Sequence, residues 1–202
     1  MKGAPFKSSE FTDSGVPIVK VSDFEEESVS QDSCSYVDNK TASLYRNVQL
    51  EYGDILLSTV GSKPHVRGSM VGKAVKLPVS LHGALLNQNV VRLRADNNDI
   101  TLDKFVFHTL KSHHYIEHIA IIAHGTANQA SIDLTDLLDY PLCLPPISDQ
   151  KQIATFLDQE TARIDEVIEN VRSQIEKLEE YRTVLISDAV TGRIDVRRFN
   201  ES

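Results

Sequence analysis

The strongest constraint on this chain is a run of apolar residues near its C-terminus. Ile164, Ile168, Val171, Ile175 and Leu178 step by four, three, four and three, and the pattern resumes at Leu185 and Ala189. Such an a/d seam commits the segment to one long amphipathic helix that pairs along its stripe. Arg182 interrupts the seam and shifts the packing toward Tyr181. Ser148 is placed to cap the helix start, Asp149 suits the positive end of its dipole, and Gly192 is placed to end it. Asp158 to Thr161 is a candidate kink. Unbroken, about 42 residues at ~1.5 Å each make a rod of roughly 60 Å. The rest of the chain has no second long amphipathic helix, so the stripe is expected to meet a helix of another chain.

Ahead of this rod the pattern differs. Pro145-Pro146 stops regular structure and divides the chain into residues 1–146 and 147–202. The first part reads as strand-rich, so the fold class is α+β, a mixed domain followed by a long C-terminal helix. Val16 to Val21 reads as a strand, with Gly15 and Pro17 suggesting an edge position. Gly53-Asp54 is a turn leading into Ile55 to Val60, an apolar run short enough to be a buried strand. Met70 to Leu77 and Asn89 to Leu93 read as further strands. Leu102 to about Ala123 has helical spacing, with Asp99 or Thr101 as cap and a break near Ser112. Gly125 to Ser131 reads as a polar loop, Thr135 to Leu138 as one helical turn, and Pro141 to Leu144 as extended.

Composition narrows the function classes. With 41% hydrophobic and 25% charged residues, the chain is globular and not disordered. No apolar run approaches the ~20 residues that span a bilayer, and no signal-peptide stretch opens the chain. Cys34 and Cys143 each stand alone, which fits free thiols in a reducing cytoplasm. The net charge of −8 argues against a simple DNA-binding domain. Its distribution matters more. From Ile55 to Ala95 there is no Asp or Glu, while Lys63, Arg67, Lys73, Lys76, Arg92 and Arg94 all fall there. Residues 149–202 hold 12 acids against 8 bases, so half the deficit lies on the rod. A local basic patch on an acidic protein still binds phosphates, though weakly and with strong salt dependence.

The search for catalysis returns one candidate. His114, Glu117 and His118 match the H-x-x-E-H spelling of inverted zinc proteases, with the histidines one helical turn apart and Glu117 able to activate a metal-bound water. That reading lacks a third ligand; the bland reading is a partly exposed histidine-rich helix face. No phosphate loop, dinucleotide fingerprint, nucleophile elbow or paired-cysteine zinc spacing occurs. No metal site and no catalytic residue is therefore assigned. What remains is recognition, which needs donors and acceptors aimed at base edges and cations on phosphates. Lys63, Arg67, Lys73 and Arg92 are candidates for phosphate or guanine. Asn87, Gln88 and Asn89, and likewise Asn128 and Gln129, suit adenine; Thr59, Ser62, Ser69 and Thr126 suit backbone or base contacts.

The residues around the boundary then carry a resemblance. Leu144-Pro145-Pro146, the Asp149-Gln150 step, Ile153-Ala154 and Leu157-Asp158 resemble the start of the conserved helical region of type I restriction–modification specificity subunits. Ala162-Arg163-Ile164-Asp165, Tyr181-Arg182 and Ala189 to Arg197 continue it over about 50 residues. Upstream, Phe6 to Phe11, Gly15 to Val21, Gly53 to Leu56, Val60 to Ser62 and Asn87 to Val90 are similar to the family's target-recognition framework, in the right order. Full subunits of the family carry two recognition domains and two helical regions, whereas one of each is present here, without the segment that usually precedes a recognition domain.

The resemblance implies a half-length specificity subunit. Its recognition domain would read one half of a split site in double-stranded DNA. Its helix would pair in an antiparallel coiled coil, with a second copy or another half-subunit, through Ile164, Ile168, Val171, Ile175, Leu178 and Leu185. Separate modification subunits would supply S-adenosylmethionine and methylation, and a restriction subunit would supply cleavage. This chain would carry no cofactor of its own. Two rivals remain: a scaffold that has lost DNA binding, and the zinc hydrolase.

Overall fold

The computed structural model describes residues 1–64, 71–95 and 100–196. Two compact units divide the chain, Met1–Ala154 and Thr155–Ser202. Among the described residues, no helix is long and apolar enough to cross a membrane.

The first unit holds three small sheets. One contains β1 (Phe11–Thr12), β2 (Val16–Val19), β3 (Ser35–Val37) and β7 (Leu85–Leu86) in the order β1-β3-β2-β7. A second contains β4 (Ile55–Ser58), β6 (Ala74–Lys76) and β8 (Val90–Leu93) in the order β6-β4-β8. A third contains β5 (Val60–Gly61), β9 (His124–Gly125) and β10 (Ala130–Ser131) in the order β5-β10-β9. The helices are α1 (Asn39–Leu44), α2 (Asp103–Thr109), α3 (His113–Ile122), α4 (Leu134–Leu138) and α5 (Ile147–Val190).

β4 explains the unbroken apolar run Ile55-Leu56-Leu57. It is the central strand of its sheet and is buried on both faces. Leu56 joins Val19, Val75, Leu86 and Val90 in one core. Ile55 and Leu57 point the other way, into a second core with Val91, Phe107, Tyr115 and Ile119 from β8, α2 and α3. One strand thus serves two cores, and alternation of hydrophobic with polar residues disappears from its sequence.

Several local expectations change. β2 is not an edge strand but lies between β3 and β7. Pairing with β7 begins at Ile18, one residue past Pro17, so an interior strand accommodates the proline near its start. Gly125 to Ser131 is a short hairpin, not an unpaired loop, because β5 supplies a partner strand from far away in sequence. The helix pair does break at Ser112, whose hydroxyl accepts from the Tyr115 N–H and starts α3. Neither proposed cap starts α2, however. Leu102 occupies the cap position, and Asp99 lies outside the described residues.

α5 spans 44 residues without a break, about 66 Å at the usual rise. The candidate kink does not form; the Thr161 hydroxyl instead donates to the Leu157 carbonyl within the helix. Ser148 lies in the first turn, not at the cap, and its hydroxyl donates to Asp149. Gly192 has φ +75, the left-handed conformation that closes helices.

Candidate nucleic-acid interface

Three segments distant in sequence meet at one end of β4. After Ser58 the chain turns at Thr59 into β5, which pairs Val60 with Ser131 and Gly61 with Ala130. β10 pairs back with β9, so the hairpin tip is Thr126–Gln129. Within it the Thr126 N–H donates to the Gln129 carbonyl at 3.0 Å, and the Gln129 N–H donates to Thr126 Oγ1 at 3.2 Å. Gly125 is required at φ +96, because a Cβ there would lie 2.4 Å from the Gln129 carbonyl oxygen. The Lys63 N–H donates to the Ala127 carbonyl at 2.8 Å, which clips the Ser62–Pro64 segment to the tip. Ser62, Lys63, Thr126, Asn128 and Gln129 are thereby assembled on one surface. The last three are exposed.

Lys73 stands at the base of this arrangement. Its N–H donates to Ser58 Oγ, and the Gly72 N–H donates to the Ser58 carbonyl. Gly72 has φ +72, and a Cβ on it would meet the Ile119 side chain at 2.8 Å. The Tyr115 hydroxyl donates to the Gly72 carbonyl at 3.1 Å. Burial pushes the Tyr115 hydroxyl far above its ordinary range, so it remains a neutral donor. α3 therefore braces the residues beside Lys73 from below. Sequence reasoning did not find this brace; the local sign of it is Gly72, a glycine inside the strand-like run Met70 to Leu77.

Other candidates stand apart. The Asn87 carboxamide oxygen accepts from the Asn89 N–H, which spends it on the turn before β8. The Asn89 carbonyl accepts from both the N–H and the hydroxyl of Thr59, and Gln88 is exposed on that turn. Arg92 belongs to a different network. Its Nη1 donates to the Gln49 carbonyl at 2.9 Å and lies 3.7 Å from Asp54. Arg94 holds the same carboxylate through Nη2 at 2.6 Å and Nε at 3.1 Å. The Asp54 side chain is only 3% exposed, so these arginines are committed to a buried charge. Among the described residues Lys63 and Lys73 form no ion pair and remain available to an anion. Arg67 and Ser69 lie outside the described residues.

The histidine pattern does not close into a metal centre. His113 and His114 both approach Glu117, at 3.2 and 4.0 Å, and all three are exposed. His118 packs against the Tyr140 ring. Cys143 lines the same open hollow of about 590 Å³. Among the described residues, no three His, Cys, Asp or Glu side chains converge at ligand distance.

In the second unit, the seam residues of α5 are all exposed: Ile164 57%, Ile168 41%, Val171 48%, Ile175 50%, Leu178 66% and Leu185 42%. The stripe, interrupted at Arg182, is apolar surface left uncovered in the single chain.

In sequence and in fold the chain is similar to known proteins. Residues 1–177 match the family described as "Type I restriction modification DNA specificity domain". The putative type I restriction enzyme MjaX specificity subunit of Methanocaldococcus jannaschii is 27% identical over 189 residues, 93% of this chain and 42% of that protein. The MjaVIII specificity subunit of the same organism is 27% identical over 201 residues, 98% of this chain and 44% of that protein. The chain thus spans less than half the length of these relatives. A chain solved in work on complex assembly and conformational transition of the type I R-M system is similar in fold. Its TM-score is 0.69 at 18% identity, covering 94% of this chain and 42% of that one.

Proposed function

The chain belongs to the family of type I restriction-modification DNA specificity domains, and from that premise we propose that it reads one half of a split target in double-stranded DNA. The observation that carries this reading is the joined surface of Ser62, Lys63 and the Thr126–Gln129 tip, clipped by the Lys63–Ala127 hydrogen bond. Exposed amide side chains at the tip suit base edges in the major groove, and Lys63 and Lys73 suit phosphates. A two-stranded ribbon is narrow enough to enter that groove.

α5 supplies the second half of the reading. Its exposed seam pairs antiparallel with the same seam of a second copy or of another half-subunit. The pair holds two recognition domains apart and gives an isologous dimer a symmetric split site. This chain supplies the address and no chemistry. Methylation, with S-adenosylmethionine, belongs to separate modification subunits, and cleavage to a restriction subunit.

The test mixes this chain with its cognate modification subunit and labelled S-adenosylmethionine, then maps methylated adenines on genomic DNA. Methylation at a symmetric split motif is the expected result. A stable complex that methylates nothing would refute autonomous half-subunit action and favour a scaffold.

A further inference from the structure

Among the described residues, Gln150 is the only polar residue of α5 with no exposed surface. Its carboxamide is fully engaged. Oε1 accepts from the Leu102 N–H at 2.9 Å. Nε2 donates to the Ile100 carbonyl at 2.8 Å and to the Pro145 carbonyl at 2.8 Å. Ile100 and Leu102 lead into α2, and Pro145 leads into α5. One side chain therefore ties the starts of two helices. One turn further on, Ala154 is also buried, and the first compact unit ends there although α5 continues unbroken to Val190.

An apolar residue would fill this place at less desolvation cost, but apolar contacts tolerate sliding and rotation. A buried amide with directional partners accepts one placement only, since any other leaves backbone groups unpaired. We propose that Gln150 is a positioning residue for split-site reading. It fixes the rotation and axial position of the first turns of α5, and through them the spacing accepted between half-sites. This role rests on the paired-rod reading above. The leverage is large. Over a rod of about 66 Å, a tilt of about 3° at the base moves the far end by about 3.4 Å, the rise of one base pair.

The test selects fragments from a randomised duplex library with the full chain bound to its modification subunit. Wild type is expected to enrich two half-sites at one spacing, by about tenfold over spacings one base pair away. Gln150→Met is expected to enrich the same half-sites with that preference reduced to about twofold. Gln150→Glu, which keeps an acceptor for Leu102 but loses both donors, is read the same way if the methionine variant does not fold. Val29→Ala, a core truncation remote from α5 in sequence, serves as the control for lost stability and is expected to keep the wild-type preference. Undiminished spacing preference in the Gln150 variants would overturn the positioning role and leave split-site reading intact. Equal loosening in Val29→Ala would overturn it as well. A wild-type selection without fixed spacing would overturn split-site reading itself, and the positioning role with it.

Discussion

Replacing Ile168 and Ile175 together by aspartate is expected to abolish dimerisation. Both lie on the α5 seam and are 41% and 50% exposed in the single chain. Pairing thus has roughly half of each side chain left to bury. Full burial of an isoleucine is worth about 1.5–3 kcal/mol, so the remaining half is worth about 1 kcal/mol. An isologous pair contains four such side chains, which makes about 4 kcal/mol lost in apolar burial alone. The four aspartates add the cost of desolvating carboxylates and of like charges on facing helices, several kcal/mol more. Together the loss exceeds about 6 kcal/mol, more than four decades in Kd. Sedimentation equilibrium at micromolar protein reads this directly, with circular dichroism to follow residual helix. Asn170→Asp with Lys177→Asp, both exposed and off the seam, is expected to leave the dimer intact. A dimeric Ile168→Asp/Ile175→Asp protein would refute the paired-rod argument.

The remaining predictions concern the recognition domain. Lys63→Ala and Lys73→Ala are each expected to weaken DNA binding across sequences and to lower the salt slope of log K by about one; an unchanged slope would remove that lysine from the phosphate contacts. Gly72→Ala is expected to destabilise the fold by about 2–4 kcal/mol in urea titration, from left-handed backbone strain and the collision with Ile119. In an Ile119→Ala background, which lacks the colliding atoms, Gly72→Ala is expected to cost less than in the wild type. Cys34 is buried, and its thiol is pushed up to about 12, first by burial and then by Asp23, so it stays protonated at pH 8. Iodoacetamide is expected to label exposed Cys143 alone in the native protein and both cysteines in denaturant; native labelling of Cys34 would contradict the packing.

The sequence by itself determined the long helix, because a seam from Ile164 to Leu185 is a local periodicity that no other structure satisfies. It also determined the buried strand at Ile55, the break at Ser112 and the family, whose motifs cluster around Pro145-Pro146. Tertiary structure decided the rest, because long-range pairing leaves little trace in local pattern. β5 turned Gly125–Ser131 from a polar loop into a hairpin and set Lys63 against Ala127. Asp54, far from Arg92 and Arg94 in sequence, drew both away from any anion in solution. Nothing in the local pattern marks Gln150, a polar residue in the first turn of an acidic helix, for burial. It is buried because backbone groups at Ile100, Leu102 and Pro145 converge on it, and those groups carry the same chemistry at every position of every chain.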